Sequence, residues 1–144
     1  MILGIDPGLA NTGWALVDRH GAKLLVRDCG TVTTSPRTDH VERLKSLFDA
    51  VGGILAAGGV SHAAIESWFV HPISRSAMAM AEARGALLVA IAAAGVDVTE
   101  YPPTEIKLAV TGSGRAQKEQ MRAMVTRLTG AQPATDHAAD AVAA

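Results

Sequence analysis

The stretch "ILGIDPGLANTGWALV", residues 2–17, decides how the chain begins to fold. Its apolar start predicts a buried strand over residues 2–6 that ends on Asp6, where Pro7-Gly8 interrupts the pattern. A second strand is predicted over residues 13–18. A carboxylate at the end of a buried strand has two explanations. Asp-Pro-Gly is a common turn sequence, and an acid at the carboxyl end of a strand can hold a metal ion.

The remaining pattern predicts an α/β protein with the order β-β-β-α-β-α-β-α-α-α. Gly21 lies in a turn that makes the second and third strands a hairpin. An antiparallel start followed by alternating strands and helices predicts a five-stranded mixed sheet with helices on both faces. The further predicted elements are strands over 23–33, 62–66 and 96–101, and helices over 38–57, 74–94, 104–110 and 117–128, with a last helix starting at Thr135 or Asp136.

Composition predicts one globular domain over residues 1–144. Hydrophobic residues make up 49% of the chain and charged residues 19%, a globular balance. The net charge of −1 gives no overall basic signature for nucleic acid. A single Cys29 excludes an internal disulfide and suits a reducing cytosol. Met1 leads directly into a strand with no basic leader, and the apolar run from Gly85 to Val96 is shorter than the ~20 residues that span a bilayer; a cytoplasmic protein with a buried helix here is expected.

Acidic residues recur at three places where they can meet. Asp6 ends the first strand and Glu66 ends the fourth, at the edge where open α/β sheets place their sites. His137 and Asp140 are three residues apart and share a helix face. Buried carboxylates repel one another, and a divalent cation removes that cost. Such a set can hold two cations ~4 Å apart, one activating water and both steadying charge on a phosphoryl group, which is nuclease chemistry.

Each residue has a plainer explanation when it is taken alone. Asp6 is more often a turn former, Asp136 is more often a helix N-cap than a ligand, and a lone His137 is usually a surface residue. Glu66 is evenly balanced between a site residue and a strand end. The joint placement at two strand ends and one helix is what favours the metal site.

Several motifs, in order along the chain, resemble the RuvC family of Holliday-junction endonucleases. They are "GIDPGLANTGWALV", "AIESWF", "AEARGALL", "YPPTEIKLAVTGSGRAQKEQM" and "DHAADA", and they extend from residue 3 to residue 142. The first motif alone also resembles the phosphate turn of sugar-kinase and actin-like ATPases. The "PTEIKLAVTGSGRAQKEQM" stretch is far more diagnostic.

The resemblance implies a ribonuclease H-like fold, a homodimer, and symmetric cutting of four-way DNA junctions with Mg²⁺ or Mn²⁺. It further implies a branch-migration motor of the RuvA and RuvB type as a partner. The implied metal-site and catalytic residues are Asp6, Glu66, His137 and Asp140. Because imidazole suits Mn²⁺ better than Mg²⁺, we expect Mn²⁺ to support more activity. Two departures from the family pattern are Ile73, where many relatives have Asn, and Glu82, where Gln is common.

A basic segment identifies the expected DNA-binding side. Residues 104–128 carry five basic and two acidic residues, a local charge of +3, although such a run is more commonly a solvated helix face. The expected DNA-binding residues are Phe69, Lys107, Arg115, Lys118 and Arg122. Phe69 matches an aromatic wedge of the family and is expected to stack on an unpaired base, whereas the neighbouring Trp68 is expected to fill the core.

Three functions remain open on the residues alone: a metal-dependent junction endonuclease, an ATPase or sugar-kinase-like phosphotransferase, and a DNA-binding module with a silent site. The phosphotransferases clamp nucleotide between two copies of this fold, and this chain has one copy. The helix 74–94 is apolar nearly all round, which favours a second chain as its cover about as well as burial within one chain.

Overall fold

The computed structural model describes residues 1–67 and 74–144. Its elements follow the predicted order. They are β1 (Ile2–Asp6), β2 (Asn11–His20), β3 (Lys23–Thr33), α1 (His40–Ala56), β4 (His62–Glu66), α2 (Arg75–Ala93), β5 (Asp97–Tyr101), α3 (Pro103–Thr111), α4 (Lys118–Thr129) and α5 (Asp136–Ala143). Trp68, Phe69 and Ile73, to which the sequence assigned roles, lie outside the described residues.

The five strands form one sheet in the order β3-β2-β1-β4-β5. β1 pairs antiparallel with β2, and β2 with β3, whereas β1–β4 and β4–β5 are parallel. The expected mixed sheet is therefore confirmed. β2 runs over residues 11–20 and is longer than the predicted 13–18, because its antiparallel ladder with β3 continues into the turn at Gly21.

The main core lies between the sheet and the α1–α2 pair. Its fully buried side chains on the strands alternate, as a two-residue period requires. The fully buried core residues of the strands and of the two helices include Leu3, Ile5, Leu47, Val51, Ile65, Leu87 and Ile91. Residues at the even positions of β1 and β4 therefore point to the opposite face of the sheet, where α5 lies.

Two glycines let α5 lie directly on the sheet. A Cβ at Gly4 would be 2.0 Å from the carbonyl oxygen of Ala141, and one at Gly13 would be 1.9 Å from that of His137. Ala138 and Ala141 are almost fully buried on the inner side of α5. The N-terminus of α5 is held by the Thr135 hydroxyl, which is 2.6 Å from that of Thr31 on β3. The expected helices on both faces are thus present.

A smaller core supports α3 and α4. Ile106, Ala116 and Met121 are buried together, with Val110, Ala143 and Ala144 packed against them. This cluster joins α3 and α4 to the C-terminal end of α5.

The prediction of a buried helix in the apolar run from Gly85 to Val96 was only partly right. Within the described residues, α2 alone has the length and apolar composition of a membrane-crossing helix: it has 19 residues, and an 18-residue window within it has a mean hydropathy of 1.4. One side packs in the main core through Ala83, Leu87 and Ile91. The other side is exposed, with Met78 at 57% and Val89 at 59% of their full accessibility.

Candidate metal-dependent nuclease site

Asp6 and Glu66 lie side by side because their strands are parallel neighbours. Ile5 is in register with Ile65, so the two acids stand one residue further along, at the carboxyl ends of β1 and β4. Both follow the alternation onto the face that α5 covers. The turn after Asp6 closes on itself: the buried Thr12 hydroxyl donates to the Gly8 carbonyl at 2.6 Å.

α5 brings its two predicted site residues to this edge. The Nδ1 atom of His137 is 2.7 Å from Oδ2 of Asp6, so one hydrogen bond joins residues 131 positions apart. Asp140 lies one turn further along α5. The helix N-cap is Thr135, whose hydroxyl accepts from the Ala138 amide at 3.1 Å. Asp136 is therefore the first helical residue, and the prediction that it is the N-cap was wrong.

A cleft of about 230 Å³ is lined by both acids and lysines. Glu66 and Asp140 line it together with Lys107 and Lys118, over an apolar floor that includes Ile106, Met121 and Ala143. A smaller recess of about 80 Å³ next to it is lined by Asp6, Pro7, Glu66 and Met80. Glu66 borders both cavities, so the acids of the sheet and of α5 belong to one continuous site.

The three carboxylates influence one another's charge. Burial raises the pKa of Asp6, opposed by its hydrogen bond to His137 and reinforced by the charge of Asp140. Burial also raises the pKa of Glu66, with further increases from Asp6 and Asp140. Burial raises the pKa of Asp140, against the lowering effect of Lys118. Repulsion among three partly buried acids is what a bound cation relieves.

This donor set fits a divalent cation by its chemistry. Three carboxylates supply the hard oxygen ligands of Mg²⁺ and Mn²⁺, and one imidazole is added to them. Among residues 1–67 and 74–144, no three Asp, Glu, His or Cys side chains already surround a single ion position. In their present positions, Asp6 and His137 are bonded to each other, so the ligands are gathered but not yet arranged around a metal.

The predicted DNA-binding residues separate into distinct environments. Lys107 and Lys118 line the cleft. Arg115 is exposed in the loop before α4. Arg122 lies outside the cleft lining: its Nη1 donates to Oδ1 of Asp136 at 2.8 Å, and it borders a separate cavity with Thr126 and Gln132.

Asp136 is the charged residue whose contacts the sequence reasoning missed. Its Oδ2 is 3.2 Å from Nζ of Lys118, which is also 3.8 Å from Oδ2 of Asp140. The interaction with Asp136 is the largest effect raising the pKa of Lys118. The spacing of Lys118 and Arg122, four residues apart on one helix, was the available signal for a shared partner.

The family model for the crossover junction endodeoxyribonuclease RuvC matches residues 2–144. The chain belongs to the RuvC family. A RuvC from Azorhizobium caulinodans is 39% identical over 143 residues, covering 99% of this chain and 85% of that protein. A RuvC from Treponema denticola is 40% identical over 145 residues, with 99% and 82% covered.

Solved RuvC structures have the same fold as this chain. The Thermus thermophilus RuvC structure has a TM-score of 0.87 and 34% identity, covering 99% of this chain and 89% of that one. The T. thermophilus RuvC in complex with Holliday junction substrate gives 0.91 and 33%, covering 99% and 88%. The ribonuclease H-like fold is therefore confirmed. A fowlpox virus resolvase shares the fold alone, at 14% identity and a TM-score of 0.59.

Proposed function

We propose that this RuvC-family chain resolves four-way DNA junctions in recombination and repair. It is a crossover junction endodeoxyribonuclease that hydrolyses phosphodiester bonds, by symmetric cutting as a homodimer with two divalent cations in each site. The observation that carries this proposal is the single cleft that Glu66 and Asp140 line together with Lys107 and Lys118. Acids that attract cations and lysines that attract a phosphate are the two requirements of metal-dependent phosphodiester hydrolysis.

The proposed roles follow from position. Asp6, Glu66, His137 and Asp140 would hold the cations, which when bound supply Lewis-acid stabilisation of phosphoryl charge. Lys107 and Lys118 bind the phosphate oxygens within the same cleft, and its apolar lining limits the water that competes for them. The hydrogen bond between Nδ1 of His137 and the accepting Oδ2 of Asp6 fixes the orientation of the His137 ring. Mn²⁺ is proposed to support more activity than Mg²⁺ because imidazole is a softer ligand than carboxylate.

The homodimer is proposed on the exposed side of α2. Met78 and Val89 are large apolar residues left more than half accessible on a helix whose other side is in the core. A two-fold pair suits a junction that presents two equivalent strands. By family resemblance we further propose that Phe69 stacks on an unpaired base and that a motor of the RuvA and RuvB type is a partner. We also propose that residues 1–144 form a single nuclease domain and that the protein is cytoplasmic.

The decisive experiment is nicking of a strand-labelled synthetic four-way junction with Mn²⁺, with Mg²⁺ and with EDTA. A linear duplex of the same arm sequence tests structure selectivity. We expect paired, symmetric nicks in the junction only when metal is present. Asp140→Asn and Glu66→Gln should each lower the cutting rate by at least about 100-fold, the scale of losing one electrostatic contributor at a reacting phosphate.

Matched controls are available on α1. Asp49→Asn and Glu42→Gln make the same chemical changes at exposed positions and should cut like the wild type. Titration with ATP should give no binding heat, because the Thr12 hydroxyl is already bonded within its own turn. Equal cutting of duplex and junction, or full activity of Asp140→Asn, would contradict the proposal.

A further inference from the structure

Asp136 connects two helices through two cations. Its carboxylate is 2.8 Å from Nη1 of Arg122 and 3.2 Å from Nζ of Lys118. These cations stand on successive turns of α4, so one side chain at the start of α5 spans both. The contacts are half-exposed, with 45% of the Asp136 side chain accessible.

Capping does not account for this carboxylate. The orphan amide of Ala138 is satisfied by Thr135. An acid in the first helical turn also interacts favourably with the helix dipole, but any orientation of the side chain would provide that. The side chain is instead directed at α4, which carries Lys118 on the wall of the cleft.

These contacts affect Lys118, because its ammonium group lies between the carboxylates of Asp136 and Asp140. Asp140 is a candidate metal ligand, whereas Asp136 lines neither the cleft nor the recess beside it. While Asp136 holds Lys118 at 3.2 Å, the distance to Asp140 stays at 3.8 Å. Without Asp136, Asp140 would be the carboxylate left beside Lys118 among the described residues, and a closer pair would tie up both site residues.

We propose, resting on the function above, that Asp136 is a positioning residue that holds Lys118 in place for strand cleavage at the cost of junction affinity. The cost arises because the same carboxylate neutralises part of the positive charge that Lys118 and Arg122 place on α4. Loss of Asp136 should therefore tighten binding and slow cutting at the same time.

The test uses Asp136→Asn, which keeps the size and removes the charge. Junction binding is measured by fluorescence anisotropy in EDTA over a range of salt concentrations, and cutting by single-turnover rates at saturating junction with Mn²⁺. We expect a several-fold lower Kd, and a slope of log K against log salt that is steeper by about 1, since each further neutralised phosphate adds ~0.9. The saturating rate should fall about tenfold, and Asp136→Glu should recover most of it.

Two comparisons separate this from general effects. Glu119→Gln makes the same charge change at an exposed position on α4, and should tighten binding without slowing cutting. In a Lys118→Ala background, followed over hours, Asp136→Asn should cause no further loss of rate.

Several results would overturn the inference. They are a wild-type rate for Asp136→Asn at saturation, an undiminished effect in the Lys118→Ala background, or a rate loss that follows a drop in thermal midpoint. If the wild-type protein itself leaves junctions uncut, the proposed function fails and this inference fails with it. Normal wild-type cutting together with any of the three results rejects the inference alone.

Discussion

A single methyl group at Gly13 should move the site residues of α5 away from the acids on the sheet. A Cβ there would lie 1.9 Å from the carbonyl oxygen of His137 and 2.3 Å from its carbonyl carbon. Ordinary contact begins at 3.4 Å, so the backbone of α5 would have to retreat by about 1.5 Å. The added Cβ is fixed to the backbone of β2, and the atoms it would meet are backbone atoms of α5. No side-chain rotation can therefore relieve the overlap.

The displacement would act on chemistry through α5. His137 and Asp140 move with the helix, whereas Asp6 and Glu66 stay on the sheet. A 1.5 Å shift is large against the 2.7 Å hydrogen bond between His137 and Asp6. Because a misplacement of ~1 Å can cost ~100-fold in rate, we expect Gly13→Ala to lose about that factor in junction cutting. Overpacking of this kind also costs about 1–3 kcal/mol of folding stability.

The assay is single-turnover nicking with Mn²⁺, at a temperature where circular dichroism shows the variant to be folded. Gly53→Ala is the matched control, because nothing lies within 4 Å of a Cβ added at that exposed position on α1. It should cut at the wild-type rate and gain about 0.5–1 kcal/mol of stability, as Ala replaces Gly inside a helix. A folded Gly13→Ala variant that cuts within threefold of wild type would refute the reasoning.

Three further predictions follow from the site and from α2. Burial raises the pKa values of Asp6, Glu66 and Asp140, and repulsion from a neighbouring carboxylate adds to each increase. Their contribution to stability is therefore present below the ordinary pKa values of 3.8 for Asp and 4.5 for Glu, and it is lost as pH rises. In EDTA, Glu66→Gln should melt above wild type at pH 7, with the gap closing near pH 4, and equal melting at both pH values would contradict this. His137→Asp should shift the ratio of Mn²⁺-supported to Mg²⁺-supported cutting toward Mg²⁺, and an unchanged ratio at saturating metal would remove His137 from the ligand set. Val89→Glu on the exposed side of α2 should yield a monomer in analytical ultracentrifugation, whereas a wild-type sedimentation coefficient would place the dimer contact elsewhere.

Sequence reasoning succeeded best where strong local signals limit an element. β1, β3 and β4 have the predicted bounds: Pro7-Gly8 stops the apolar run of β1, Gly21 lies in the turn just before β3, and Glu66 ends the apolar run of β4. The ends of β2 depend on pairing with β3 over a whole hairpin, which no local residue encodes. The partial exposure of α2 could not be predicted either, because an apolar helix has the same composition whether its second cover is its own chain or another.

The gathering of Asp6, Glu66 and Asp140 could be anticipated from strand ends and helix spacing alone. The arrangement of the cations around them could not. Arg122 was expected to serve DNA and is bonded to Asp136, because the angle between α4 and α5 decides which acid each basic residue meets. The two helices meet where Ile106, Ala116 and Met121 pack against the end of α5, a tertiary contact without a local pattern.

The division of the hydrophobic interior into a large and a small cluster has a consequence for how this chain tolerates change. The sheet acids rest on the large cluster, and the lysines of α3 and α4 rest on the small one. Regions with fewer buried contacts open more readily than the rest of a protein. Amides of α3 and α4 should thus exchange with deuterium sooner than those of β1 and β4. Substitutions in α3 and α4 can therefore alter the proposed phosphate-binding lysines while the strands that position Asp6 and Glu66 stay intact.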